Sequence, residues 1–101
     1  MELTAADNNA SRTVPLGGAI VLRLPENPTT GYQWHPAVDD AALQLIDDQY
    51  EIAQEPRGAA GLHRFAFRAL RVGPTVLKLV ERREWEDHAS EEYRVNLQIQ
   101  P

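Results

Sequence analysis

Few residues of this chain have the type and spacing that catalysis needs. The 101-residue sequence contains no cysteine, which excludes a cysteine nucleophile, a thiolate zinc site and a disulfide scaffold. Its serines, Ser11 and Ser90, lie outside any Gly-x-Ser-x-Gly turn. Its histidines, His35, His63 and His88, are too far apart in sequence for a local metal motif. A hydrolase would therefore require the three histidines to converge in the fold.

Carboxylates occur in adjacent pairs, which suit a solvated surface better than acid–base catalysis. Neighbouring side chains on a strand point to opposite faces, so such pairs do not share one site. The pairs are Asp39-Asp40, Asp47-Asp48, Glu86-Asp87 and Glu91-Glu92. We therefore expect a protein that is not an enzyme and that binds no cofactor and no metal.

Composition narrows the class of partner. The chain has 15 acidic against 10 basic residues, for a formal charge of −5, and its longest basic cluster is Arg82-Arg83. Nucleic-acid binding needs a basic face, so no nucleic-acid partner is expected. Apolar runs are too short to span a membrane, and the first ten residues carry no export signal. The chain is then cytoplasmic, or a mature exported domain without its signal.

One segment, Asn27–Tyr32, has the composition of a stiff binding loop. Pro28 restricts its own φ, and Gly31 permits a positive φ or a close backbone approach. Thr29 and Thr30 lie between them and present small hydroxyls. A stiff loop loses little entropy when it enters a cleft, although the composition alone also suits an ordinary tight turn.

A second segment ends in four successive small residues: Gly58, Ala59, Ala60 and Gly61. Small side chains let a backbone lie flat against a partner, so that its amides and carbonyls can form main-chain hydrogen bonds with that partner. The alternative is a flexible hairpin tip.

A third segment, residues 82–88, places Trp85 among charged residues. Tryptophan and arginine are enriched at binding hot spots, which favours a contact role for Trp85 and Arg83. In the alternative, Trp85 folds over the core edge with Arg83 stacked upon it.

The elements that must position these segments are mostly strands. Apolar residues alternate with polar ones at a period of two. Turns are predicted between the runs, at Leu16-Gly17-Gly18, Glu26-Asn27-Pro28, Arg57-Gly58 and Gly73-Pro74. A helix is suggested only for Asp39–Asp48, where a single turn followed by a strand fits equally well. The pattern predicts one mostly-β domain of about seven strands, a sandwich or barrel, in which the clearest runs are Ile20–Leu24, Tyr32–Trp34, His63–Ala69, Val76–Val80 and Tyr93–Ile99.

Taken in this order and spacing, the three segments resemble the chagasin-like inhibitors of papain-family cysteine proteases. Asn27–Tyr32 matches that family's Asn-Pro-Thr-Thr-Gly-aromatic loop at every position. Gly58–Gly61 is similar to its Gly-x-Gly-Gly loop, with Ala60 at the third position. Arg83–Trp85 is similar to its Arg-Pro-aromatic motif, with Glu84 in place of proline.

The resemblance implies an immunoglobulin-like β-sandwich, with residues 1–101 forming a single inhibitor domain and the three loops at one end. It also implies reversible, non-covalent inhibition of a papain-like cysteine protease. Thr29 and Thr30 would face the catalytic cysteine and histidine, and Gly58–Gly61 would line the cleft. Trp85 would pack beside the cleft with Arg83 adding a polar or stacking contact, and a monomer would suffice. The acidic residues around Trp85 suggest a partner with a basic cleft rim and a salt-dependent on-rate.

The main alternative is a non-inhibitory immunoglobulin-like adhesion or interaction module that uses the same sandwich and loops. Fold alone does not decide between the two functions.

Overall fold

Strands form most of the structure. The computed structural model describes residues 1–51, 61–86 and 88–101. Short 3-10 helices lie at Ala5–Asp7 and Pro28–Thr30. The strands are β1 (Glu2–Leu3), β2 (Ser11–Pro15), β3 (Ala19–Glu26), β4 (Tyr32–Pro36), β5 (Leu43–Glu51), β6 (Gly61–Ala69), β7 (Gly73–Arg83) and β8 (Glu91–Gln100).

The strands form a sandwich of two four-stranded sheets. One sheet has the order β1-β3-β6-β5 and the other the order β2-β8-β7-β4. Most neighbouring strands are antiparallel, but β1 pairs with β3 and β2 pairs with β8 in parallel. The predicted all-β sandwich is confirmed, with eight described strands where about seven were expected.

The core lies between the sheets and follows the predicted alternation. The inward positions of β3, Ile20, Leu22 and Leu24, are each at most 1% exposed. The same alternation buries Tyr93, Val95, Leu97 and Ile99 along β8, and Phe65 and Phe67 along β6. Since no disulfide can form, burial of these side chains has to stabilise the fold, at about 25 cal/mol per Å² of apolar surface.

The helix considered for residues 39–48 does not form. Asp39 does begin a turn, since its side chain accepts a hydrogen bond from the Ala41 amide at 2.9 Å. The chain leaves this turn at once, because Leu43 is fully buried and pairs with Ala69 of β6. The alternative of one turn followed by a strand is therefore correct.

Two turn predictions also need correction. Gly73 and Pro74 were expected in a turn but begin β7, and the turn precedes them. Glu26 was expected in a turn with Asn27, yet it is the last residue of β3 and its inward-facing carboxylate is buried. The alternation that buries Ile20, Leu22 and Leu24 therefore continues to Glu26.

Strand register places the first and third segments, and Gly61 of the second, at one end of the sandwich. Glu26, at the end of β3, pairs with Gly61 at the start of β6. Tyr32, at the start of β4, pairs with Arg83 at the end of β7. Residues 27–31 connect these two corners directly, so the ends of both sheets adjoin.

Candidate functional site at the loop end of the sandwich

The first loop, residues 27–32, is held in shape by its own polar side chains. Asn27 Oδ1 accepts hydrogen bonds from the Thr29 amide at 3.1 Å and from the Thr29 hydroxyl at 2.7 Å. The Asn27 carbonyl accepts from the Thr30 amide at 3.2 Å and from the Thr30 hydroxyl at 2.8 Å. These bonds close a single 3-10 turn over Pro28–Thr30. Both threonine hydroxyl protons are therefore used inside the loop, while the two residues remain exposed.

Gly31 allows the first loop to turn and to contact the third. Its φ of +79° lies in the left-handed region that side chains disfavour. A Cβ at this position would also lie 3.1 Å from Cη2 of Trp85. Glycine is therefore required both for the backbone conformation and for the close approach of the indole.

Arg83 joins the first loop to the third loop, residues 83–88. Its guanidinium carbon lies 4.5 Å from the centre of the Tyr32 ring and 5.8 Å from that of Trp85. Its Nε donates to the Thr30 carbonyl at 3.3 Å, and its Nη1 lies 3.3 Å from Glu86 Oε1. Arg83 therefore sets the spacing of two loops, and its contact with a partner stays a prediction.

Trp85 projects from the loop end into solvent. Its side chain is 73% exposed, the highest value among the large hydrophobic residues that the structure describes. The alternative in which the indole covers the core edge is therefore wrong. Glu84 is exposed beside it, while Glu86 pairs with Arg83. An exposed indole supported by a neighbouring loop suits contact with a partner.

The second segment is represented by its last residue. Gly58, Ala59 and Ala60 lie outside the described residues, as does Asp87 of the third loop. Gly61 is buried at the start of β6, and its amide donates to the Tyr50 hydroxyl at 3.0 Å. A Cβ on Gly61 would collide with that hydroxyl and with the Glu51 carbonyl. The glycine is thus needed for packing where the segment enters the sheet.

A polar cluster that the sequence did not predict lies beneath the loops. Glu26 and His63 form an ion pair at 3.0 Å, with side chains 5% and 14% exposed, and Asp48 contacts the other ring nitrogen. They line a cleft of about 480 Å³ between the edge strands β4 and β5. The continued alternation of β3 and the placement of His63 on the core face of β6 were the signals that pointed to them.

The histidines do not converge into a catalytic or metal site. His35 and His63 line the same cleft, but His88 is not among its lining residues. Within residues 1–51, 61–86 and 88–101, no three His, Cys, Asp or Glu side chains are placed to hold a metal ion.

The Ser90 hydroxyl donates a hydrogen bond to the Glu81 carbonyl at 3.1 Å. In the described part of the chain, no helix is long and apolar enough to cross a membrane.

Two groups near the loop end, His63 and Glu81, have raised pKa values for different reasons. Burial alone would lower the pKa of His63, but hydrogen bonds and charge from Asp48 and Glu26 raise it. Burial raises the pKa of Glu81, and the nearby charges of Glu91 and Glu26 raise it further, against an opposing hydrogen bond from Ser90. This end of the sandwich is therefore acidic and partly desolvated.

Comparison with known proteins identifies relatives along nearly the whole chain. The family described as "Chagasin family peptidase inhibitor I42" matches residues 13–99. Chagasin of Trypanosoma cruzi is 27% identical over 104 residues, covering 95% of this chain and 94% of chagasin. Amoebiasin-2 of Entamoeba histolytica is 29% identical over 87 residues, covering 83% of this chain and 71% of that protein.

The fold agrees with these relatives. The crystal structure of a cysteine protease inhibitor from Entamoeba histolytica superposes with a TM-score of 0.87 at 23% identity, covering 98% of this chain and 93% of that one. The sandwich, the intact first loop and the match over residues 13–99 lead to one conclusion. This chain belongs to the chagasin family of peptidase inhibitors.

Proposed function

We propose that this chain is a reversible, non-covalent inhibitor of papain-like cysteine proteases and that residues 1–101 act as one inhibitor domain. The first loop enters the active-site cleft, and the second segment and third loop contact the sides of the cleft. The observation that carries the proposal is the internally bonded first loop beside the exposed Trp85 at the same end of the sandwich.

The first loop supports this role because it is ordered before any partner binds. The side chains of Asn27, Thr29 and Thr30 bond one another, so little conformational entropy remains to be lost on binding. Trp34 and Gly61 anchor the strands on either side of the loop end. A preorganised wedge of this kind binds a cleft without rearrangement.

The same geometry explains how such a loop resists cleavage. Proteases bind scissile segments in an extended conformation, in which the carbonyl can reach the nucleophile. Residues 28–30 instead form a 3-10 turn held by hydrogen bonds to Asn27. The chain also offers neither a thiol nor an electrophile to the enzyme. Inhibition is therefore non-covalent.

The proposed contacts divide among the three segments. Thr29 and Thr30 present the exposed tip of the first loop, shaped by Asn27, Pro28 and Gly31. The segment Gly58–Gly61 supplies main-chain hydrogen bonds along the cleft. Trp85 supplies the apolar contact at one side. Tyr32 and Arg83 hold the first and third loops in register with each other.

The direct test is titration of papain with the purified protein at fixed substrate concentration. We expect stoichiometric loss of activity at submicromolar inhibitor, recovery of activity on large dilution, and recovery of the intact chain by mass spectrometry. Val72→Ala is the matched control, because Val72 lies in the turn at the opposite end of the sandwich. This variant should inhibit like the wild type.

Absence of inhibition at micromolar concentration would overturn the proposal. Binding to the protease without loss of activity would overturn it too, and would favour the interaction module. Cleavage between Thr29 and Thr30 with progressive recovery of activity would show that the loop behaves as a substrate.

A further inference from the structure

Glu26 is a buried carboxylate at the base of the first loop, where an apolar residue would satisfy the core alternation. It follows Leu24 on the inward face of β3 and is 6% exposed. Burying a carboxylate costs free energy unless the group is hydrogen-bonded and paired with a charge. Its partners therefore indicate what the carboxylate contributes.

Glu26 joins the two ends of the first loop. Its Oε1 accepts a hydrogen bond from the Trp34 amide at 2.7 Å, so residues that flank the loop on both sides are tied together. The Trp34 indole Nε1 donates to the Pro25 carbonyl at 3.0 Å, which is a second hydrogen bond between β3 and β4. These bonds cross from one sheet to the other, and they set the separation of the strands from which the loop rises.

Tyr50 connects this point to the second segment. Its hydroxyl donates to the Glu26 carbonyl at 3.2 Å and accepts from the Gly61 amide at 3.0 Å. One hydroxyl thus links the residue before the first loop with the residue that ends the small-residue segment. Movement of β5 relative to β3 would break both bonds at once.

His63 supplies the charge that keeps Glu26 in place. Its Nδ1 lies 3.0 Å and 3.1 Å from the two Glu26 oxygens, and its Nε2 contacts Asp48. A ring with a carboxylate at each nitrogen donates at both, which requires the protonated imidazole. Two further titratable groups, Tyr50 from β5 and His35 from β4, line the same cleft.

Further charge reaches the cluster from β7. Burial raises the pKa of Glu81 on that strand, and the charge of Glu26 contributes to the rise. Loss of the proton from His63 would remove the positive charge that lies between Glu26 and Asp48. The position of Glu26 therefore depends on protonation of the imidazole.

We propose that Glu26, with His63 and Tyr50, is a positioning residue for inhibition that fixes the base of the first loop against the end of the second segment. These three residues are called the brace. The proposal rests on the inhibitory function proposed above. The brace lies beneath the loops, so it acts on how often they are correctly placed rather than on contacts with the protease.

A positioning role has a kinetic signature that separates it from a contact role. If a variant lowers the fraction of molecules whose loops are correctly placed, the association rate constant falls by that fraction. The dissociation rate constant stays the same, because the bound protease holds the loops in place. Loss of a direct contact would instead raise the dissociation rate constant.

The test measures association and dissociation of papain with wild type, Glu26→Gln and Tyr50→Phe. Glutamine keeps an acceptor for the Trp34 amide but loses the ion pair, and phenylalanine keeps the ring that packs on Gly61 but loses the hydroxyl. We expect association to slow by about three- to tenfold in each variant, as for loss of one hydrogen bond or partly buried ion pair. Dissociation should be unchanged.

Acid dependence gives a second readout. The ratio of wild-type to Glu26→Gln association rate constants should be larger at about pH 5.5, where His63 is protonated, than at about pH 8.5. Taking the ratio removes the pH dependence of the protease itself. A purely structural role would change the unfolding midpoint but would leave this ratio the same at both pH values.

Ile99→Val is the destabilised control, because Ile99 is fully buried in the core and lies at the far end of β8. It should unfold more easily than wild type yet associate at the wild-type rate. Wild-type association rates in both brace variants, or slowing of Ile99→Val to the same extent, would overturn the brace. Failure of the wild-type protein to inhibit would instead overturn the proposed function, and the brace as a determinant of inhibition with it.

Discussion

Replacement of Trp85 by alanine should weaken inhibition far more than it weakens the fold. The side chain is 73% exposed. A tryptophan side chain presents about 250 Å², so about 180 Å² is available to a partner. At about 25 cal/mol per Å², complete coverage would contribute about 4.5 kcal/mol. Partial coverage and the ordering of side chains reduce this to about 2 kcal/mol, or about a 30-fold increase in Ki.

The cost to the fold is smaller because Trp85 has few internal contacts. It touches Gly31 and lies over Arg83, whose guanidinium carbon is 5.8 Å from the ring centre. An exposed cation–π contact contributes about 0.5–1 kcal/mol, and the free energy of unfolding should fall by no more than that.

The assay pairs two measurements on Trp85→Ala, with Val72→Ala as control. Val72 is 47% exposed at the opposite end of the sandwich, so its replacement also removes exposed apolar surface. Ki comes from papain titration, and the free energy of unfolding comes from urea denaturation. A wild-type Ki for Trp85→Ala would refute the hot-spot argument. So would a loss of stability as large as the loss of affinity, because the indole would then be part of the core.

Three further outcomes follow from the geometry. Gly31→Ala should lower the free energy of unfolding by about 1–2 kcal/mol, because a side chain at φ +79° is strained. It should also raise Ki, because the added Cβ displaces the indole of Trp85. An unchanged free energy of unfolding in urea together with an unchanged Ki for papain would contradict this. Gly61→Ala should destabilise more than Gly31→Ala, since its Cβ collides with Tyr50 and with backbone; an equal or smaller loss in the same urea series would count against that packing. The raised pKa of His63 gives stability that is full below its ordinary value of 6.5 and is lost as pH rises through the higher folded value. The raised pKa of Glu81 has the same sign, and its effect begins above the ordinary value of 4.5. The free energy of unfolding from urea denaturation should therefore fall as pH rises through these values, and a flat or rising profile would contradict the ion pair.

Strand alternation and the first loop could be predicted from the sequence because each rests on local chemistry. Ile20, Leu22 and Leu24 face the core as their period of two requires. The hydrogen bonds of Asn27 form within four residues, so composition alone signals a tight turn.

The features that the sequence left open or misassigned depend on partners remote in sequence. Residues 39–48 suit a helix or a turn followed by a strand, and pairing with β6 makes the chain a strand from Leu43 onward. Glu26 looks like a turn residue until His63, 37 positions later, supplies its counter-charge. The internal contacts of Arg83 with Thr30 and Tyr32, about 50 positions earlier in the chain, likewise could not be predicted. Local alternation marks Glu26 as an inward position, but it does not specify a partner that lies far away in the sequence.

Parallel pairing of β2 with β8 has a consequence for how the protein is made. Ser11 of β2 lies opposite Asn96 of β8, so β2 cannot pair with its neighbour until β8, the last strand of the sandwich, is available. Topologies dominated by such distant pairings fold slowly, in milliseconds to seconds. The third loop connects β7 to β8, so both of its ends are fixed only after β8 has paired with β7. A nascent chain on the ribosome should therefore be inactive towards proteases until β8 has emerged, and should gain activity in one late step.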